Sequence, residues 1–288
     1  MSTPTSLELP EGTRRSTVTT ARGEFAVLDA LPAAGPCERD TALLVPGYTG
    51  SKEDFLAILD QLTAAGRRVV AMDQRGQYQT DGLDDPDVYH PRELGADVAA
   101  VFAEVGATHL LGHSFGGLVV REAVLGGCTP ATLTLLSSGP GVLPGERAEE
   151  LHFMLNYLDG VATADLGQKI AEIWHGVMKP KAVDAGVGPD IVVFLEERML
   201  ANNPTGMVTM ATHLLKAEDK TADLAGLHIP TFVLYGEEDN AWPTSQQQDM
   251  AESLGAERTC IPCAGHNPNV EAPATTAHAL TKFWNSAE

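Results

Sequence analysis

The segment from Thr108 to Val120, THLLGHSFGGLVV, constrains the fold more than any other part of the chain. An apolar run of strand character leads to Ser114, which stands between Gly112 and Gly116, and a second apolar run follows it. Glycine permits a sharp, closely packed turn. A strand that turns into a helix at a serine holds the hydroxyl exposed at the edge of a sheet. We therefore predict a strand, a tight turn and a helix, with Ser114 at the turn.

Short apolar runs alternate with helical patterns on both sides of this segment. The predicted strands are residues 41–47, 67–73, 108–114, 132–138, 230–240 and 257–266, and helices are predicted at 51–66, 92–106, 115–127, 245–255 and 275–287. Continuous apolar strands that alternate with helices are typical of a parallel sheet covered on both faces. We therefore expect an α/β fold with a mostly parallel central sheet and helices on both faces.

Residues 144–223 interrupt this alternation. No strand pattern occurs there, and helical periodicity predicts four helices, at 146–161, 164–178, 189–202 and 205–217. The stretch is much longer than the usual connection of about 2–6 residues. We predict an all-helical lid inserted after the sixth strand, so that residues 1–143 and 224–288 form the α/β core and 144–223 the lid or cap.

The charge balance bears on partners. Lys and Arg number 19, Asp and Glu number 39, and the formal net charge is −20. So acidic a surface repels phosphate backbones and anionic lipids, which argues against nucleic acid and membranes as partners. The opening segment, MSTPTSLELPEGTRRS, lacks the apolar stretch of a secretion signal, so we expect a cytoplasmic protein. With nucleic acid and membranes argued against, we expect the partner to be a small-molecule substrate.

The chain has four cysteines: Cys37, Cys128, Cys260 and Cys263. The last two form a Cys-x-x-Cys motif, but a structural zinc site would need a second pair. Free cysteine is mostly a small buried hydrophobic residue, so we interpret Cys260 and Cys263 as packing residues.

A serine hydroxyl needs a base to remove its proton, usually a histidine that a carboxylate orients. His266 lies in AGHNPNVEAP, a loop rich in Gly and Pro that follows a predicted strand, whereas His113 adjoins Ser114 and would point the opposite way. Asp239 lies in YGEEDNAWP after the preceding strand, and we choose it over Glu238 as the carboxylate. The sequence thus predicts a triad of Ser114, Asp239 and His266.

Taken together, GHSFGG, YGEEDNAWP and GHNPNVEAP resemble the α/β-hydrolase superfamily, whose members order the triad as Ser, acid and His. The resemblance covers residues 15–285. It implies an oxyanion hole formed by the backbone N–H groups of Phe115 and Tyr48, although Pro46 stands where the family commonly has His. The segment MDQRGQYQT resembles the family's Asp-x-Arg-Gly turn, and we interpret Asp73 and Arg75 as a structural pair that orders this loop.

These residues predict a serine hydrolase of the esterase type, which cleaves a carboxylic ester, lactone or thioester through an acyl-enzyme on Ser114. The mechanism requires no metal or organic cofactor. The apolar side chains of the predicted lid favour a small, largely apolar substrate, with Tyr48 and Trp242 as candidate walls of its pocket. Carbon–carbon bond hydrolysis, acyl transfer on the same triad and a hydrolase-like small-molecule receptor remain alternatives. The acyl and leaving groups, the pathway and the oligomeric state are left open.

Overall fold

The computed structural model describes residues 2–33 and 35–288 and contains one sheet of eight strands. The strands are β1 (Thr13–Thr20), β2 (Gly23–Ala30), β3 (Arg39–Val45), β4 (Arg67–Met72), β5 (His109–His113), β6 (Thr132–Leu136), β7 (Thr231–Gly236) and β8 (Glu257–Ile261). Their order in the sheet is β1-β2-β4-β3-β5-β6-β7-β8. From β4 to β8 all neighbouring strands pair in parallel, which confirms the predicted fold class.

The two N-terminal strands form an antiparallel hairpin that the sequence pattern does not predict. β1 pairs with β2 along its whole length, from Thr13 with Ala30 to Thr20 with Gly23. β1 lies at the edge of the sheet, and its sequence, TRRSTVTT, is mostly exposed. An edge strand made of polar β-branched residues has no apolar run, so the search for buried strands misses it.

Helices cover both faces of the sheet because alternate residues of the central strands point to opposite sides. Leu43 and Val45 of β3 pack in a core with α2 (Pro91–Val105), α3 (Phe115–Leu125) and α10 (Thr244–Leu254). Ala42 and Leu44 of the same strand pack on the other face with α1 (Leu56–Ala64) and α12 (Pro273–Ser286). A 3₁₀ turn (Lys52–Phe55) leads into α1, another (Pro86–Tyr89) precedes α2, and the short α11 (Pro268–Glu271) precedes α12.

A helical insertion of residues 145–225 connects β6 to β7, and every residue of it is described. It contains α4 (Gly145–Leu158), α5 (Thr163–Ile173), α6 (Lys179–Asp184), α7 (Pro189–Ala201), α8 (Pro204–Leu214) and α9 (Thr221–Ala225), with a π-helical turn (Trp174–Met178) between α5 and α6. A separate apolar core lies between its helices, including Leu166, Trp174, Phe194 and Met199. The insertion therefore has a core of its own.

Asp73 and Arg75 order the loop after β4, but they do not pair with each other as the sequence suggested. The Asp73 carboxylate lies 2.7 Å from Lys52 Nζ, and both groups are buried. Arg75 donates instead to Asp97 of α2, with both contacts at 2.7 Å. The two side chains reach different partners, so each fixes the loop separately.

In the described part of the chain, no helix combines the length and the apolar composition needed to cross a bilayer.

Candidate active site

The sharp turn after β5 puts Ser114 at the start of α3. The backbone of Ser114 has φ 54° and ψ −122°, a conformation that residues other than glycine rarely adopt. The turn is also tightly packed: a Cβ on Gly116 would lie 2.4 Å from the carbonyl oxygen of Pro46. Only glycine fits there, which explains why the residue two positions after Ser114 is a glycine.

Ser114, His266 and Asp239 lie in one continuous chain of hydrogen bonds. His266 Nε2 is 2.9 Å from Ser114 Oγ, and His266 Nδ1 is 2.9 Å from Asp239 Oδ1. A carboxylate can only accept, so Nδ1 carries the hydrogen of the neutral imidazole and Nε2 is free to accept the serine proton. Three residues that are distant in the sequence therefore meet where β5, β7 and β8 end.

Further hydrogen bonds hold the Asp239 carboxylate in place. The Ala241 N–H donates to Oδ1 at 2.9 Å, and Gln247 Nε2 donates to Oδ2 at 3.0 Å. Burial raises the pKa of Asp239, but hydrogen bonds from His266, Ala241 and Gln247 outweigh it, so the pKa lies below its usual value. The carboxylate therefore remains ionised at neutral pH. Nothing in the sequence pattern indicates that Gln247, on the following helix, orients it.

His113 contacts the loop that carries His266. Its Nε2 donates to the backbone carbonyl oxygen of His266 at 2.9 Å, and its side chain is buried. Burial lowers the pKa of His113 to about 4, with a smaller contribution from the neighbouring His266. The neutral His113 thus holds the histidine loop in place through this hydrogen bond. On the other side of this loop, the Glu271 carboxylate accepts from the N–H groups of Gly265 and Asn267.

The two predicted oxyanion-hole donors lie beside the serine. Within the described residues, neither the Tyr48 N–H nor the Phe115 N–H donates to a protein acceptor. The loop of Tyr48 approaches Ser114 closely, since a Cβ on Gly47 would lie 3.0 Å from Ser114 Cβ. Thr49, next to Tyr48, also has a positive φ of 54°. These two backbone groups are free to bind a negative oxygen.

A cavity of about 740 Å³ opens above Ser114. Its wall combines residues of the serine turn and histidine loop with side chains of the helical insertion. The apolar part includes Leu151, Met154, Trp174, Met178, Leu195, Met199, Met207 and Leu214. Charged side chains, among them Arg147, Glu150 and Lys181, lie nearer the solvent. A mainly apolar cavity of this size suits an organic substrate of modest size.

Of the two candidate wall residues, the structure includes Tyr48 and leaves out Trp242. Tyr48 lines the cavity, and its phenol donates to the carbonyl oxygen of Met207 at 3.1 Å. Trp242 is fully buried beside the cavity, and its indole N–H donates to the carbonyl oxygen of Val142 at 3.2 Å. The expectation for Trp242 is therefore corrected: its neighbour Ala241 forms the wall, while the indole fills the core below.

The Cys260 and Cys263 side chains are exposed, so their interpretation as buried packing residues is wrong. Cys260 lies on β8, an edge strand whose residues are largely exposed, and Cys263 lies in the turn that follows, at φ 55°. Because β8 lies at the edge of the sheet, the two cysteines are not covered by neighbouring strands as they would be at an internal strand.

One cluster of potential metal ligands lies away from the cavity. Ligand atoms of Asp40, His109 and Glu288 lie within 4.8 Å of one another. Arg67 and Arg39 already donate to the Glu288 carboxylate, at 2.7 and 3.0 Å. His109 begins β5 whereas Ser114 follows its end, so the cluster belongs to the opposite edge of the sheet. Two guanidinium groups supply the positive charge there, which makes this an ion-pair network.

Comparison with known proteins matches the chain to one family model and to solved structures of similar fold. The model of a family described as "Alpha/beta hydrolase family" matches residues 42–279. A non-heme haloperoxidase from Rhodococcus erythropolis is 27% identical in an alignment that covers 72% of this chain and 78% of that protein. A thermophilic esterase from Thermogutta terrifontis superposes with a TM-score of 0.70 at 22% identity, over 95% of this chain and 99% of that one. A bromoperoxidase from Bacillus anthracis gives 0.72 at 16% identity, over 94% and 100%.

Proposed function

Because the chain belongs to the alpha/beta hydrolase family, we propose that it is a serine hydrolase that cleaves a carboxylic ester, lactone or thioester. The observation that carries the proposal is the pair of 2.9 Å hydrogen bonds that link Ser114 to His266 and His266 to Asp239. This is the arrangement in which a histidine activates a serine hydroxyl and a carboxylate fixes the histidine tautomer.

In the first half of this reaction, Ser114 Oγ attacks the substrate carbonyl carbon while His266 Nε2 takes the proton of the serine hydroxyl. The negative oxygen of the tetrahedral intermediate accepts hydrogen bonds from the N–H groups of Tyr48 and Phe115, each worth on the order of 3 kcal/mol. His266 then returns the proton to the leaving oxygen or sulfur, and the acyl group stays on Ser114.

In the second half, a water molecule attacks the acyl-enzyme and His266 removes its proton. The acid is released, and Ser114 Oγ regains its hydrogen from the imidazole. The ionised Asp239 stabilises the imidazolium that forms in both halves. The two steps balance without a metal or organic cofactor.

We also propose that the helical insertion, predicted as residues 144–223, acts as a lid and selects an apolar substrate. Its support is the apolar cavity wall that α4, α5, α7 and α8 contribute above Ser114. Four of these wall residues are methionines: Met154, Met178, Met199 and Met207. Methionine side chains adapt to apolar groups of different shape, so we expect tolerance of several acyl groups.

The proposal is tested by hydrolysis of p-nitrophenyl acetate and butyrate. We expect Ser114→Ala to lower kcat/KM by about 10³-fold or more, with a similar loss for His266→Gln, since these residues act as a unit. Ser253→Ala is the matched control, because Ser253 is exposed on α10 and its hydroxyl donates to the carbonyl oxygen of Asp249 in the same helix, away from the cavity. Substantial turnover by Ser114→Ala would exclude Ser114 as the nucleophile.

A further inference from the structure

Residues 2–9, which we call the N-terminal strap, run from the α/β core to the helical insertion. Leu9 packs against the core cluster that contains α1 and α12, whereas Leu7 packs against the apolar core of the insertion. Ser2 and Pro4 precede Leu7 in the strap, and both are buried although they belong to no helix or strand. The strap therefore contacts both the α/β core and the helical insertion.

A buried guanidinium anchors the strap. Arg198 of α7 is 0% exposed, and one of its terminal nitrogens donates to the backbone carbonyl oxygen of Ser2. The other lies 2.6 Å from Asp54 Oδ1. The Asp54 carbonyl oxygen accepts in turn from Asn269 Nδ2 at 2.7 Å, in the segment just after His266. The strap, the insertion and the histidine loop thus meet at one buried polar node.

The anchored end of the strap is also part of the cavity wall. Ser2 and Thr3 line the same cavity as Ser114. Leu195 and Met199, which flank Arg198 on α7, line it as well, and each is 2% exposed. Ser2, Leu195 and Met199 thus form a buried side of the wall, which the half-buried Thr3 borders.

From these contacts we infer that Ser2 and Thr3, at the anchored end of the N-terminal strap, are part of the substrate-binding site and limit the length of the apolar chain that the cavity accepts. The inference rests on the proposed ester hydrolysis. The Thr3 side chain borders the cavity on its buried side, so a larger side chain at this position shortens the space that an acyl chain can occupy. Long acyl chains should be affected, and short ones, which end near Ser114, should not.

The test compares Thr3→Trp with Thr5→Trp on p-nitrophenyl esters from acetate to dodecanoate. Thr5 is exposed and does not line this cavity, which makes it a matched control in the same strap. We expect Thr3→Trp to lower kcat/KM for the longest esters by about tenfold or more relative to acetate, and Thr5→Trp to leave the chain-length profile unchanged. Thr3→Gly should shift the profile toward longer chains.

The inference would be overturned if Thr3→Trp and Thr5→Trp had equal chain-length profiles while their melting temperatures showed that both proteins are folded. So would a Thr3→Trp variant that loses acetate and dodecanoate turnover equally. Should the wild type hydrolyse none of the esters, the proposed function fails instead, and the two failures are distinct.

Discussion

At the scale of single residues, two strained backbone positions lie at the candidate active site. Ser114 and Thr49 both have φ 54°, and they lie on the two loops that carry the proposed nucleophile and one proposed oxyanion-hole donor. Such conformations cost of order 1–3 kcal/mol each and persist where the surrounding structure holds them. Here tight packing holds them, since Gly116 lies against Pro46 and Gly47 against Ser114.

Gly47→Ala tests this close approach. The new Cβ would lie 3.0 Å from Ser114 Cβ and 3.4 Å from His113 Nδ1, so the two loops must separate by a few tenths of an ångström. Since small displacements of reacting groups are costly, we expect kcat/KM to fall by about 10- to 100-fold while the melting temperature changes little. Gly188→Ala is the control, because a Cβ there meets nothing within 4 Å. Equal activities of the two variants would contradict the geometry.

His113 predicts how stability depends on pH. Its pKa of about 4 in the folded protein lies below the value of 6.5 for a free imidazole, so the unfolded chain binds a proton first as the pH falls. The free energy of unfolding should therefore decline between pH 6.5 and pH 4, by roughly 3 kcal/mol from this group. His113→Gln cannot titrate and should lose less stability over that range, as measured by urea unfolding at pH 7 and pH 4.5.

His113→Phe separates titration from hydrogen bonding. Phenylalanine leaves the His266 carbonyl oxygen without its donor, which costs about 1–3 kcal/mol at every pH. We expect a uniform loss of stability for this variant, with the acid-dependent part removed as in His113→Gln. A wild-type pH slope retained by both variants would show that His113 is not the titrating group.

The catalytic candidates were predictable because each follows a strand with a strong apolar pattern. The residues that hold them were not. His113 is visible in the motif, but its partner is a backbone oxygen 153 positions along the chain. Gln247 donates to Asp239 from a helix with mixed composition, and no residue pattern distinguishes such a contact. Local sequence therefore identifies groups at strand ends better than it identifies their hydrogen-bond partners.

At the scale of secondary structure elements, the same contrast holds. The strands from β3 to β8 are apolar runs or follow the helix–strand alternation, so they were predicted. The β1–β2 hairpin was missed because β1 is a polar edge strand and because the apolar run of β2 is followed by β3 with no helix between them, outside the strand–helix alternation. Within the insertion, the four predicted helices became six and a π turn, because helical periodicity alone does not indicate where Trp174–Met178 widens the helix.

A buried ion pair between Arg198 and Asp54 links the insertion to the core, and Arg198→Met tests its importance. Arg198 and Asp54 are 0% and 1% exposed, so removing the cation leaves a buried carboxylate without its partner. Breaking such a pair typically costs 3–5 kcal/mol. The control is Lys181→Met, since the Lys181–Glu150 pair is exposed at 70% and 57% and worth at most about 1 kcal/mol. Similar unfolding free energies for both variants would contradict this role.

At the scale of the whole molecule, the parallel sheet explains how the site assembles. β5, β7 and β8 run in the same direction, so Ser114, Asp239 and the loop of His266 follow strand ends at one edge. The insertion leaves from the end of β6, between them, and therefore lies over the same edge. The parallel pairing of these strands was predicted from the alternation, whereas no pattern in residues 2–9 indicates the contacts of the strap.

The central claim is that Ser114 is the nucleophile, and labelling with a fluorophosphonate followed by peptide mass mapping tests it most directly. We predict one adduct per chain, on the peptide that contains Ser114, with no adduct on Ser114→Ala and much slower labelling of His266→Gln. An adduct on another serine, or equal labelling of the wild type and Ser114→Ala, would contradict the account.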